Sequence, residues 1–325
     1  MRFCGILAAA VLLAAPAASL AVTCTSQAEL SSQDRAALAD AGQGLTQAVI
    51  MEDLVTLKAN LLPAEASAWS TISAAVDQAQ PLVRGGHAQL RDVYLLDASD
   101  QTAPADTQFY CSNASGSLTV TIFMRALPPG RYALILARAA GAPLGGQLGL
   151  ILAWDGPDAA WKLAGLSIHQ GVFDGHDGVW YWERARSLII EDPWSAWYCY
   201  DMARYMLLPV NFLTSPNLDK LREEQERITP SPPSQLPLSI PDGARTWKIL
   251  AVGIDVSLNQ PDLDVVYQST GVTDPAAQRT EALAVLSAFL KAKPGFRNNF
   301  HGLWAVAESN GTRTPIIELP MNQIP

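Results

Sequence analysis

Charge is scarce in this chain, and basic charge scarcer still. Only 16% of its 325 residues are charged, and 31 acidic residues against 22 basic ones give a net charge of −9. A surface of that sign repels phosphate backbones, which argues against nucleic acid as a partner. Cysteine is rare too, four in all, and no pair stands at metal-ligand spacing. Beyond the first 21 residues no stretch approaches the roughly 20 apolar residues needed to span a bilayer, so no transmembrane segment is expected in the mature chain. A nucleophile elbow, a phosphate-binding Gly loop, a dinucleotide fingerprint and a zinc-protease motif are all missing, and no cofactor is expected. Hydrophobic residues nevertheless make up 49% of the chain, enough for real cores and too many for wholesale disorder.

What is present begins with an address. Met1-Arg2-Phe3 is a short cationic start, Gly5 to Ala18 is an apolar run, and Ser19-Leu20-Ala21 is a small-x-small cleavage site. Residues 1–21 therefore read as a signal peptide cut after Ala21, leaving a periplasmic or secreted protein that starts at Val22. Cleavage removes Arg2 and no acid, so 21 basic against 31 acidic residues leave the mature chain at −10. A lipoprotein signal acylated on Cys24 is the alternative, but Ala21 stands where leucine is usual and Thr23 where Gly or Ala is. Cys4 leaves with the leader, and Cys24, Cys111 and Cys199 allow three pairings. Cys199 lies in a helical aromatic stretch and reads as a small buried hydrophobe, which makes Cys24 with Cys111 the preferred disulfide.

Hydrophobic periodicity divides the remainder. Residues 32–80 are helical in period through Leu38, Leu45, Val49, Leu54 and Leu57, and Pro63 opens a second helix through Trp69, Ile72 and Val76. From His87 the period changes to two. Leu90, Asp92, Tyr94 and Leu96 fall on one strand face. Leu118 to Met124, Tyr132 to Leu136 and Leu148 to Trp154 supply further strands, with Gly/Pro/Asn turns between them. The spacing predicts an antiparallel meander. Helices followed by such a sheet, ending in the hairpin Leu150-Ile151-Leu152-Ala153-Trp154, turn, Trp161-Lys162-Leu163-Ala164-Gly165-Leu166, resemble the NTF2-like cone fold over residues 32–170. That superfamily includes isomerases, dehydratases and non-catalytic binding modules, so the resemblance leaves function open.

Residues 177–227 form a helical block. Asp177 caps one helix, Asp192-Pro193 breaks it, a second runs from Trp194 to Leu208, and Ser215-Pro216 starts a third. Ala196, Tyr200 and Ala203 share a face, a small-aromatic-small pattern that resembles a tetratricopeptide hairpin, here a single unit docked on the cone. Residues 228–242 are proline-rich and read as a stiff linker. Residues 243–325 predict a small ββαββ domain, with a hairpin signal at Asn310-Gly311. The whole is an α+β chain.

Several polar clusters are candidates for chemistry. His169, Asp174, His176 and Asp177 could ligate a divalent ion, although Asp and Gly at a strand-to-helix joint more commonly serve turns and caps. By strict alternation His169 shares a face with Trp161, Leu163 and Ser167. If that face lines the cone, His169 could act as acid or base with Asp92 and Tyr94. The strands between them are Leu, Ile, Val and Met, which describes a filled core better. Trp180, Trp182, Trp194 and Trp197 cannot all point inward at helical spacing, so some exposed aromatic surface for a partner is expected. Arg297 and His301 could hold an anion at a helix-to-strand joint. The reading that absorbs most of this is an exported, soluble, non-enzymatic binding or assembly protein with a protein or small-molecule partner. The alternatives are a small-molecule enzyme with a pocket in the cone, and a lipid-anchored binding protein.

Overall fold

The computed structural model describes residues 22–325, and the leader read over residues 1–21 lies outside them. Strand β1 (Thr23–Ser26) precedes helix α1 (Ser32–Ile50), whose first turn is capped by the Ser31 hydroxyl accepting from the Asp34 N–H. Helices α2 (Leu54–Ala59), α3 (Trp69–Gln78) and α4 (Gln80–Val83) follow. Pro63 starts a 3-10 turn ahead of α3. Then come β2 (His87–Asp97), β3 (Ala105–Ser112), β4 (Leu118–Leu127), β5 (Arg131–Ala140), β6 (Gln147–Asp155) and β7 (Ala160–His169).

These strands depart from a simple meander. The main sheet runs β1-β2-β5-β6-β7, while β3 and β4 leave it and form a second sheet with β8 (Leu213–Thr214). The four helices lie on one face of the main sheet, where Leu38, Leu45, Val49, Leu57 and Val76 meet Ile135, Leu148, Leu150, Leu152 and Leu163. Each fully buried leucine contributes roughly 2 kcal/mol from the apolar area it removes from water. Phe109, Cys111, Val120 and Ile122 cover the opposite face, against Tyr94, Leu96, Leu134 and Leu136. A disulfide joins Cys24 on β1 to Cys111 on β3, tying the two sheets together, and Cys199 is free and buried.

Two β-bulges reset the side-chain alternation. Leu90 pairs with Ala137 and Asp92 with Leu136, so Arg91 is the extra residue on β2. Leu163 pairs with Leu152 and Gly165 with Ile151, so Ala164 is the extra residue on β7. Leu90 therefore turns to the helices while Asp92, Tyr94 and Leu96 turn away. Leu166 and Ile168 replace Ser167 and His169 on the helical side.

Helices α5 (Gly178–Leu188), α6 (Pro193–Leu207) and α7 (Pro216–Glu226) begin at Asp177, Asp192 and Ser215, each accepting an N–H of the first turn through its side chain. The last sheet has the order β13-β12-β11-β10-β9, from β9 (Leu238–Asp242), β10 (Arg245–Asp255), β11 (Asp262–Gln268), β12 (Gly302–Ser309) and β13 (Thr312–Pro320). Helix α8 (Pro275–Ala292) makes the crossover between the parallel neighbours β11 and β12. Strand β9 occupies the end of the segment read as a linker, so the unit is βββαββ. As an edge strand it tolerates Pro241, which has no N–H to donate.

The helical hairpin and this sheet share one core. Tyr181, Ala196, Tyr198, Tyr200 and Ala203 belong to the same apolar cluster as Leu263, Val265, Phe289, Phe296 and Leu303. The hairpin is thus built into the C-terminal unit, while the segment joining α6 to α7 belongs to the N-terminal one: β8 pairs with β4, Val210 and Leu213 are buried in its core, and nearby Gln147 Nε2 donates to the Met206 carbonyl at 2.8 Å.

Candidate functional site

The proposed acid/base trio does not assemble. After the two bulges Asp92, Tyr94 and His169 all face away from the helices, but β2 and β7 are three strand spacings apart, roughly 14 Å. Val210 sits between them. It packs onto Gly149 of β6 so closely that a Cβ there would collide with Val210 Cγ1. Tyr94 is buried, and that burial together with the charge of Asp92 pushes its hydroxyl up to about 12. Asp92 instead lines a shallow cavity of about 410 Å³ with Arg91, Arg138, Gln147 and Met206. His169 packs edge-on against Tyr205 with ring centroids 5.8 Å apart, its Nε2 buried without a partner. Burial alone lowers its pKa from 6.5 to about 4, so the ring is neutral.

The four residues considered for a metal around His169 are likewise used for structure. Asp174 and Gly175 take positive φ angles of 49° and 79°, and Phe173 and His176 exchange backbone hydrogen bonds across them, which makes a tight turn. His176 stacks on Trp180 at 3.7 Å, and Asp177 accepts the Trp180 N–H at 2.9 Å as the cap of α5. The tryptophans turn mainly inward, with part of three of them left accessible. Trp194 is buried, and Trp180, Trp182 and Trp197 are half-buried against the shared core. Trp182 Nε1 donates to Glu224 at 2.7 Å, which Arg186 also holds with two bonds of 2.8 Å. The bond from Arg186, then that from Trp182, keeps the Glu224 carboxyl near 2 against the cost of burial. Arg297 donates to the carbonyls of Met321, Ile324 and Pro325, fixing the end of the chain and leaving no anion cradle with His301.

The arrangement with chemical potential lies elsewhere, on the face of the C-terminal sheet turned away from α8. Leu263, Val265 and Tyr267 point into the shared core, so Asp262 and Asp264 point to the other face. Register places Asp255 opposite Asp262, Gly253 opposite Asp264, Trp304 beside Asp264 and Glu318 opposite Trp304. His301 Nδ1 lies 2.9 Å from Asp262 Oδ1. Its backbone is held on both sides, donating to the Pro261 carbonyl and accepting from the Met321 N–H. One donor atom each from Asp262, His301 and Glu318 lies within 4.8 Å of the others, the one such convergence of metal-ligating groups among the described residues.

Electrostatics there is adverse to so many carboxylates. Burial, then the charges of Asp255 and Asp262, pushes Asp264 up to about 6. Burial raises Asp262 against the opposing bond from His301, and burial with the charge of Asp262 raises Glu318. Asp262 Oδ2, Glu318 Oε1 and Trp304 Nε1 are buried without hydrogen-bond partners. Of this group the sequence alone points only to His301.

A second concavity sits at the other end of the same sheet. It is a groove of about 850 Å³ lined by Arg245, Lys248, Gln268, Thr270, Thr280 and neighbours. Neither Arg245 nor Lys248 forms an ion pair among the described residues. No described helix is long and apolar enough to cross a membrane. No family model matches the chain, and neither a curated protein nor a solved structure is found to be similar to it.

Proposed function

We propose that the chain is an exported, non-catalytic binding or assembly protein. The observation that carries this reading is the filled interior between the N-terminal helices and the main sheet, where Leu148, Leu150, Leu152 and Leu163 are each 0% exposed. An enzyme with its pocket in an NTF2-like cone needs that space open, and its acid/base groups gathered there. The Cys24–Cys111 disulfide supports the exported reading, because such bridges persist in oxidising compartments. It also occupies the sulfur that a lipid anchor would need.

For a small-molecule partner, the groove beside Arg245 and Lys248 has the suitable chemistry: two cations without ion-pair partners, several hydroxyl groups and the Gln268 amide, with the one lining carboxylate, Glu281, accepting from Ser269 Oγ and the Thr270 N–H. A polar organic anion is the ligand class this reading names. Screening the mature protein against small carboxylates and phosphates by thermal shift tests it. The expected hit loses its shift in the Arg245→Ala, Lys248→Ala double variant, and turnover of a bound compound would overturn the non-catalytic reading. Mass spectrometry of the mature N-terminus tests the address: a chain starting at Val22 is expected, and one starting at an acylated Cys24 would contradict it.

A further inference from the structure

We propose that Asp262, His301 and Glu318 bind a divalent transition-metal ion, of the zinc or manganese class, on the face of the C-terminal sheet opposite α8. The three residues come from distant parts of the sequence and are brought together by the sheet. Asp262 begins β11, His301 precedes β12, and Glu318 lies on β13 opposite Trp304. Their donor atoms already lie within 4.8 Å of one another. Zinc bonded at about 2.0–2.1 Å spaces its ligand atoms roughly 3.3 Å apart, between the 2.9 Å that now separates His301 Nδ1 from Asp262 Oδ1 and the 4.8 Å that bounds the set, an adjustment within reach of side-chain rotation.

Unmet bonding capacity is the second, independent observation. The Asp262 side chain is 0% exposed, yet its Oδ2 has no hydrogen-bond donor, and neither has the buried Oε1 of Glu318. Two desolvated carboxylate oxygens without partners are costly, and a cation in common supplies what both lack. Trp304 Nε1, buried on the same face without an acceptor, is placed to orient a carboxylate or a water on the ion.

Gly302 keeps the space between the carboxylates open. A Cβ at that position would lie 2.6 Å from Glu318 Oε1, 2.8 Å from the Leu319 carbonyl oxygen and 2.9 Å from Asp262 Oδ1, so any larger residue would press on the β13 backbone and fill the gap the two carboxylate oxygens border. The donor set indicates the metal class: one imidazole nitrogen with two carboxylate oxygens suits zinc, manganese or ferrous iron better than an all-oxygen calcium site. The His301 side chain is 33% exposed, which gives the ion a way in and leaves room for water beside it. This site lies at the opposite end of β10 and β11 from the Arg245–Lys248 groove. It stands or falls independently of the proposed anion ligand.

The test uses the mature full-length protein after treatment with a chelator. Titration with Zn2+ in a calorimeter, with metal content measured after desalting, is expected to saturate at one ion per chain. Glu318→Gln and His301→Gln should each weaken binding by about tenfold or more, and Gly302→Ala should do the same by filling the gap. Circular dichroism establishes that each variant is folded. Because Asp262→Asn alters a buried group, Co2+ added to the unaltered protein gives a variant-free measurement, and visible absorption bands of a nitrogen- and oxygen-ligated ion are expected. Two results would overturn the site: no stoichiometric Zn2+ with no Co2+ bands in the unaltered protein, or binding that Glu318→Gln and His301→Gln leave within about twofold.

Discussion

The N-terminal and C-terminal units each rest on a five-stranded sheet, and they use its two faces differently. In the first, both faces are apolar: α1 to α4 cover one and the β3-β4-β8 sheet the other. In the second, one face joins the core of α5, α6 and α8, while the other carries Asp255, Asp262, Asp264, Trp304 and Glu318. A sheet packed on both sides has no room for converging polar groups, and the N-terminal candidates are accordingly scattered or absorbed into turns and caps. Converging polar chemistry requires a face that the hydrophobic core does not claim.

This contrast can be broken experimentally, and the largest effect belongs to the N-terminal unit. Replacing Cys24 and Cys111 by serine opens a loop of 87 residues and is expected to cost about 4 kcal/mol, read as a lower urea midpoint. A midpoint unchanged by reduction would mean that the two N-terminal sheets hold together without it. His169 gives the next effect. Its pKa is depressed from 6.5 to about 4, so the unfolded chain takes up a proton below 6.5 that the folded chain refuses. Stability is full above pH 6.5 and falls by up to about 3 kcal/mol as pH drops to 4, and His169→Gln should flatten that part of the profile.

Gly149→Ala probes the packing on the face of the main sheet turned away from α1 to α4. A methyl group there meets Val210 and should cost about 2 kcal/mol in thermal unfolding, with the helical content retained. The smallest change is expected from Glu224→Gln in the C-terminal unit. The carboxylate is held near 2 by Arg186 and Trp182, but Arg186 is 43% exposed, and screening reduces the loss to about 1 kcal/mol. That contribution is present above pH 4.5 and disappears as pH falls toward 2. A Glu224→Gln variant with an unaltered acid limb would show that the network does not couple to folding.

Local chemistry made much of the fold legible. Asp177, Asp192-Pro193 and Ser215-Pro216 mark helix starts through capping and proline geometry, and the structure begins helices there. Strand β3 gives only a weak signal, because Thr107, Phe109 and Cys111 alternate over a short span with polar neighbours. The bulges at Arg91 and Ala164 were invisible for a different reason. One extra residue changes the phase of a period-two pattern, and nothing in either strand's composition announces it. Strict alternation therefore groups Leu90 with Asp92, Tyr94 and Leu96, and His169 with Trp161 and Leu163, whereas the structure puts Leu90 and His169 on the opposite faces from those neighbours. The Asp262–His301–Glu318 cluster has no spacing to recognise, since it exists only through the register of β11, β12 and β13.

The common core of the helical hairpin and the last sheet has a practical meaning for dividing the molecule. The proline-rich stretch at 228–242 invites a cut, yet Ile228 and Ile240 within it are buried in that core. A fragment ending at residue 227 would expose the faces of α5 and α6 that Phe289, Phe296 and Leu303 cover, and a fragment starting at residue 243 would lose β9 along with all three helices. A C-terminal piece has to start at or before Phe173, whose ring belongs to the same core, and it would still take β8 from its partner β4 and Val210 and Leu213 from the N-terminal core, so the chain resists division on either side of the hairpin.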